Sequence, residues 1–358
     1  MIMSKQKCAL AVSIALGFVS GANADEMTVY GSLGVAMEAL DNGEVSTTAV
    51  SNNHSVFGIK GSKTLNDNLT AVYLFDAFVG IDAGGGAGDD SLFGGGRDGW
   101  LGLSDDDWGI VALGFQGRPW KTSTNHIDLF GSTAADYSAI LGTTGDTDLN
   151  GQSDIYFDGG IGSSLIYFGP NINGLSWHLQ FGADESDDST NDWGAQANYS
   201  RDALYASLSY DLDGQGSAAD DIKATKLAVS YTLQEQTVFT GIYDSISNGN
   251  SSRDAYYLAV GHGIGNTTLK LAYAMADDLD NLADSGASYY ALGASHMLDK
   301  DLEVFALYSA LNNNANGAYS YISSPHTSSN GNVAIAALGD DSSVVSIGVR
   351  YHFARKIN

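Results

Sequence analysis

Polarity alternates residue by residue along most of this chain, in segments longer than soluble sheets use. From Met27 to Ala39, Val29, Leu33, Val35 and Met37 fall on one face, while Tyr30, Ser32, Ala36 and Glu38 fall on the other. From Ser342 to Phe353, Val345, Ile347, Val349, Tyr351 and Phe353 oppose Ser346, Gly348, Arg350 and His352. A period of two is the mark of a strand with two unlike faces. The chain shows sixteen such segments, beginning near Met27, His54, Asn68, Arg97, Trp108, Gly162 and so on to Ser342, most of them 9 to 13 residues long. Strands of soluble proteins average about 5–6 residues, whereas a tilted strand needs about 9–11 to cross a bilayer.

Alternation alone fits a soluble sandwich as well as a membrane barrel, because either buries one face. The connections separate the two. Short ones at Thr64 to Asp67, Ser104 to Asp107, Pro170 to Asn173 and Gly263 to Gly265 alternate with long ones at Asp41 to Asn53, Ile81 to Gly96 and Asn312 to Asp341. Tight turns at one end and long loops at the other, with an even strand number, describe an outer-membrane barrel. Aromatics near strand ends, among them Tyr30, Tyr210, Tyr257, Tyr273 and Tyr351, fit girdles at the two interfaces, and Trp100 and Trp108 read as anchors there. The expected fold is all-β: a 16-stranded antiparallel transmembrane β-barrel.

Residues 1–24 read as a signal peptide: Lys5 and Lys7, an apolar core from Cys8 to Val19, then Ala22-Asn23-Ala24. The barrel domain is then 25–358. The one cysteine, Cys8, leaves with the leader, so no disulfide or thiolate metal site is expected. The leader carries two of the 16 basic residues and none of the 42 acidic ones, so the charge of −26 becomes −28 without it. Such a surface repels nucleic acid and attracts cations.

One connection is too long to be a turn. The stretch 118–160 follows a strand from Ile110 to Gln116 and precedes another at Ser163 to Phe168, yet carries neither a strand nor a helix period. Connections of this length inside a compact domain are usually functional. It holds Asp128, Asp136, Asp146, Asp148, Asp154 and Asp158. The expectation is that it folds back into the barrel lumen and narrows it.

The segments Met27 to Ala39, Ser55 to Ala77 (SVFGIKGSKTLNDNLTAVYLFDA), Arg97 to Trp120 (RDGWLGLSDDDWGIVALGFQGRPW) and Ser342 to Phe353 together resemble the trimeric general porins of Gram-negative outer membranes. The resemblance implies a homotrimer in the cell outer membrane, a water-filled lumen in each subunit, and the third external loop bent inward. It implies passive passage of small hydrophilic solutes, with loop acids facing basic residues across the narrowest point. Asp128, Asp136, Asp146 and Asp148 are the expected acidic side. Lys60 and Arg97 match basic positions of the family, and Arg118 and Lys121 extend the basic side. Val56 and Phe115 stand where the family usually has arginine, which thins the basic wall and points to cation preference. The tail Ala354 to Asn358 extends past the aromatic at which the family commonly ends.

Catalysis finds no support. The sequence has no G-x-S-x-G and no H-E-x-x-H, and its seven histidines are scattered. The glycine run 84–96 lacks the Lys-Ser/Thr of a phosphate loop, and Asp278 onward fails the calcium-loop pattern at Ala283 and Tyr289. No enzyme activity, no cofactor and no dedicated metal site are expected. Expected partners are a second and third copy of the chain, small hydrophilic solutes, and outer-membrane lipid and lipopolysaccharide bridged by divalent cations. The alternative on the same scaffold is an oligosaccharide-specific porin, with Trp120 as the sugar-stacking candidate.

Overall fold

The computed structural model describes residues 26–82, 93–149, 154–184, 190–215, 220–321, 326–327 and 335–357. The expected leader at 1–24 and most of the glycine run lie outside them. The first strands are β1 (Glu26–Asp41), β2 (Ser46–Asn53), β3 (Val56–Thr64), β4 (Thr70–Val79), β5 (Phe93–Asp105) and β6 (Gly109–Gly117). After the long connection come β7 (Gly160–Phe168), β8 (Leu175–Gly182), β9 (Asp192–Arg201), β10 (Leu204–Asp213), β11 (Ile222–Leu233) and β12 (Thr237–Ser247). The chain continues through β13 (Ser252–Ile264), β14 (Thr267–Ala276), β15 (Ala287–Asp299), β16 (Leu302–Asn313), the two-residue β17 (His326–Thr327) and β18 (Ser342–Ile357).

Sequential wall strands pair antiparallel, and β18 closes the sheet on β1 from Met27↔Ile357 to Asp41↔Ser343. Closure removes the exposed edges that an open sheet would leave unsatisfied in hydrocarbon. β2 and β3 form one wall strand: β2 pairs with the outer part of β1 and β3 with its inner part. The break falls at His54, whose φ is 58°. Ser55 Oγ accepts the Gly34 N–H at 2.9 Å and donates to the Gly34 carbonyl at 3.2 Å, so the interrupted ladder keeps its hydrogen bonds. Taking β2 with β3, and β17 as part of the last connection, the described residues build a 16-stranded barrel. The connection expected as a loop from Asp41 to Asn53 is mostly strand, because Ser46 to Val50 continues the ladder on β1.

The barrel is inside out relative to a soluble protein. In β11, Leu227 is 47% exposed and Val229 51%, while Lys226 and Ala228, which alternate with them, are 0% and 4% exposed. β14 repeats the pattern, with Leu271, Tyr273 and Met275 outward and Ala272, Ala274 and Ala276 buried. An apolar face turned outward around the whole ring is stable only against lipid. Tyr210, Tyr231, Tyr273 and Tyr351 belong to that outer face. Tyr30, Tyr257 and Trp100 do not, contrary to their expected place at the membrane interface. All three are buried on the inner face, bonded to Asp76, Asp128 and Gln116 respectively. Their strand parity matches the charged neighbours, so parity outweighs aromatic character.

The tail past Phe353 continues β18. Ala354 to Ile357 pair with β1, and Lys356 Nζ lies 2.9 Å from Glu26 Oε2 across the seam.

Candidate channel constriction

The connection between β6 and β7 starts with a short helix, α1 (Pro119–Thr122), whose Pro119 stands at the first helical position. There proline's missing N–H costs nothing and its fixed φ suits the helix. Two 3₁₀ turns follow at Asn125–Ile127 and Tyr137–Ala139. The chain then doubles back on itself with a bridge between Thr143 and Tyr156, and the base closes through Arg118 N–H to the Gly159 carbonyl at 3.2 Å.

This loop binds the inner face of the wall. The Trp120 N–H donates to Asp211 Oδ2 of β10 at 2.8 Å, and Trp120 Nε1 donates to Asp244 Oδ1 of β12 at 2.9 Å. Lys226 Nζ of β11 lies 2.9 Å from the centre of the Trp120 ring and donates to Thr124 Oγ1 at 2.7 Å. Tyr257 of β13 donates to Asp128 Oδ1 at 2.8 Å, Tyr289 of β15 donates to the Ala135 carbonyl, and Arg350 of β18 donates to the Ser132 carbonyl. Each partner sits on the face opposite the exposed leucines, valines and tyrosines of its strand, which places the loop within the ring of strands. Loop residues Ile127, Phe130, Ile140 and Leu141 join Ala255, Ala272, Ala274 and Ala291 of the wall in one apolar cluster. Alanine at these inward positions leaves the depth that the loop backbone fills.

Opposite the docked side, a cavity of about 60 Å³ separates the loop from the β2–β5 wall. Arg97 and His54 face it from the wall; Lys121, Asp128, Asp136 and Asp158 face it from the loop. Arg97 is paired with Asp76 at 3.0 Å, and Lys121 with Asp158 at 3.1 Å. Asp128 and Asp136 have no cation within ion-pair distance among the described residues. Backbone N–H groups hold them instead: Phe130 and Tyr137 on Asp128, Ser132 and Ser138 on Asp136. Burial raises both carboxyl pKa values, and Asp136, pushed further by the charges of Asp128 and Asp158, reaches about 7.

The expected site residues therefore separate. Asp128, Asp136, Arg97 and Lys121 come together around the cavity. Asp146 and Asp148 lie at the other limb of the loop, grouped with Asp154, and the Asp146 N–H donates to the Ala318 carbonyl of the last connection. Arg118 turns away, bonded to Asp192 at 3.2 Å and Asp213 at 2.7 Å. Lys60 is half-buried on β3 with its ammonium 5.6 Å from the Tyr30 ring, and does not line the cavity. Trp120 cannot stack a sugar: it is 0% exposed, with Lys226 over its ring and Gly142 so close that a Cβ there would lie 2.5 Å from it.

The family model for Gram-negative porins matches residues 9–317. The chain belongs to the Gram-negative porin family. No curated protein matches the sequence. Among solved structures, this porin is similar to an anion-selective porin from Comamonas acidovorans, with 20% identity, 92% of this chain and 100% of that one covered, and a TM-score of 0.76. Salmonella typhi OmpF in complex with daunomycin follows at 16% identity, 92% and 98% coverage and a TM-score of 0.68. Vibrio cholerae OmpT in its trimer form is similar at 17% identity, 92% and 100% coverage and a TM-score of 0.62. As a member of this family the chain is an outer-membrane channel.

Residue patterns did not single out His54 of this porin, nor Asp158 from its fellow loop acids, nor the wall residues Lys226, Asp244 and Arg253 beneath the loop. A signal for the last three was present. Each is a charged residue in phase with the buried positions of its strand, as in Ala224-Thr225-Lys226-Leu227-Ala228.

Proposed function

We propose that this porin is a homotrimeric, cation-preferring diffusion channel for small hydrophilic solutes, made with a cleaved leader at residues 1–24 and a single barrel domain over 25–358. Supporting the selectivity is the charge balance at the cavity: Arg97 and Lys121 are each offset by a carboxylate, while Asp128 and Asp136 are not. In a narrow passage with low-dielectric walls, unbalanced carboxylates enrich cations. The Comamonas relative is anion-selective, so a shared fold does not carry the sign, and the sign rests on these side chains. Trimer formation draws support from the trimer form of Vibrio OmpT. The acidic external loops suit divalent cations shared with lipopolysaccharide phosphates. Burial of Trp120 leaves the oligosaccharide-specific alternative without its stacking platform.

Bilayer recording in asymmetric salt tests the reading. The expected permeability ratio favours cations, and a ratio at or below one overturns it. Replacing Asp128 and Asp136 together by Asn is expected to bring the ratio toward one at pH 8.

A further inference from the structure

A single ion pair inside the wall grips both limbs of the loop. Asp244 of β12 and Arg253 of β13 lie 2.9 Å apart, and neither side chain is exposed at all. Asp244 Oδ1 accepts Trp120 Nε1 on the descending limb, and Oδ2 accepts the Gly142 N–H on the returning limb at 2.9 Å. Arg253 completes the grip from its side: Nε donates to the Thr143 carbonyl at 2.9 Å and Nη2 to the Ile140 carbonyl at 3.1 Å. The two limbs cross in close contact there, because Gly142 adopts φ 77° against the Trp120 ring. Between the two gripped points run residues 121–139, which include Lys121, Asp128 and Asp136. The guanidinium fork fits this task because its donors leave a rigid plane in fixed directions. Burying an ion pair is costly in desolvation, so a pair kept here serves to specify one arrangement.

We propose that Asp244 and Arg253 are positioning residues that set the ion selectivity of the passage without facing it. The proposal rests on the channel reading above. By holding both limbs, the pair fixes the distance between the loop acids and Arg97. Loosening it lets the acids move and lets the current fluctuate.

The test compares purified full-length protein with Asp244→Asn, with Asp244→Asn/Arg253→Met and with Arg253→Lys. Assembly is checked first by heat-modifiable gel migration, then single channels are recorded in asymmetric salt. Asp244→Asn and the double variant are expected to show raised current noise and about a twofold lower cation-to-anion permeability ratio, the scale of a unit charge acting across ~8 Å of water. Arg253→Lys keeps the charge, cannot reach both carbonyls, and is expected to fall between them and the parent. Should Asp244→Asn fail to assemble, Trp120→Phe removes the Nε1 bond to Asp244 together with part of the indole's volume and keeps an aromatic ring beside Lys226, with a smaller shift in the same direction. Assembled variants with the parent's noise and ratio overturn the proposal alone. A parent that assembles but does not conduct overturns the channel reading and the proposal with it.

Discussion

Along β13, β14 and β15 the inward positions read Ala255, Tyr257, Ala259, then Ala272, Ala274, Ala276, then Ala287, Tyr289, Ala291, all buried. Along β1 to β5 the inward positions include Glu38, Ser51, Asn53, Asp76 and Arg97. Both halves obey the same alternation and turn an equally apolar face to lipid. They differ in what covers the inner face. Short alanines on one half leave a trough that protein fills; on the other, Arg97 faces the cavity with Asp76 paired behind it. Alternation thus says which side is lipid, and the run of inward alanines on β13 to β15 marks where the loop packs closely.

The sharpest way to break this contrast is to remove the anchor of the docked half. Trp120→Ala takes away a fully buried indole, two of whose contacts are Asp244 and Lys226. Large-to-small changes of this kind cost about 3–5 kcal/mol. The expected result is a loop that trypsin cuts after Lys121 in the assembled protein, with a lower unfolding midpoint. On the other half, Lys60→Ala is expected to stay within about 0.5 kcal/mol of the parent, as half-exposed positions usually do. Equal sensitivity of the two variants would remove the distinction.

Filling the trough sharpens the comparison from the opposite direction. Ala274→Leu adds three carbons at a position with no free space beneath the loop. Overpacking costs about 1–3 kcal/mol, and the loop can yield only toward Arg97. A lower unfolding midpoint together with reduced single-channel conductance is expected; unchanged conductance would mean that the strain dissipates within the wall.

The barrel was legible because period-two alternation over long segments leaves few other stable solutions, and because Leu227 and Val229 must point opposite Lys226. The inward loop was legible from its length. Its contacts were not, since they depend on which strands close the far side of the ring, 91 residues from Trp120 at Asp211 and 124 at Asp244. Loop acids look alike in sequence: Asp128 and Asp136 are fixed near Arg97 by local turns at Phe130 and Ser138, while Asp146 and Asp148 are carried to the other limb. Tyr257 and Trp100 misled for a related reason. Aromatic rings suit the membrane interface and a crowded lumen equally, and parity alone tells them apart.

The smallest expected effect belongs to a single proton on the side of the loop that faces the cavity. Burial, then the neighbouring charges of Asp128 and Asp158, raise the Asp136 carboxyl to about 7. A carboxyl raised in this way is neutral below that pH and negative above it. Its contribution to cation enrichment is therefore absent near pH 5 and complete near pH 9, so the permeability ratio is expected to climb between them. The step belongs to Asp136 if Asp136→Asn abolishes it while Asp146→Asn, at the other limb, leaves it in place. A step that survives Asp136→Asn assigns it to another group at the cavity. A step lost with Asp146→Asn would show that the acids of the far limb govern the field, and the contrast between the docked and open halves would then fail at the point where it bears on function.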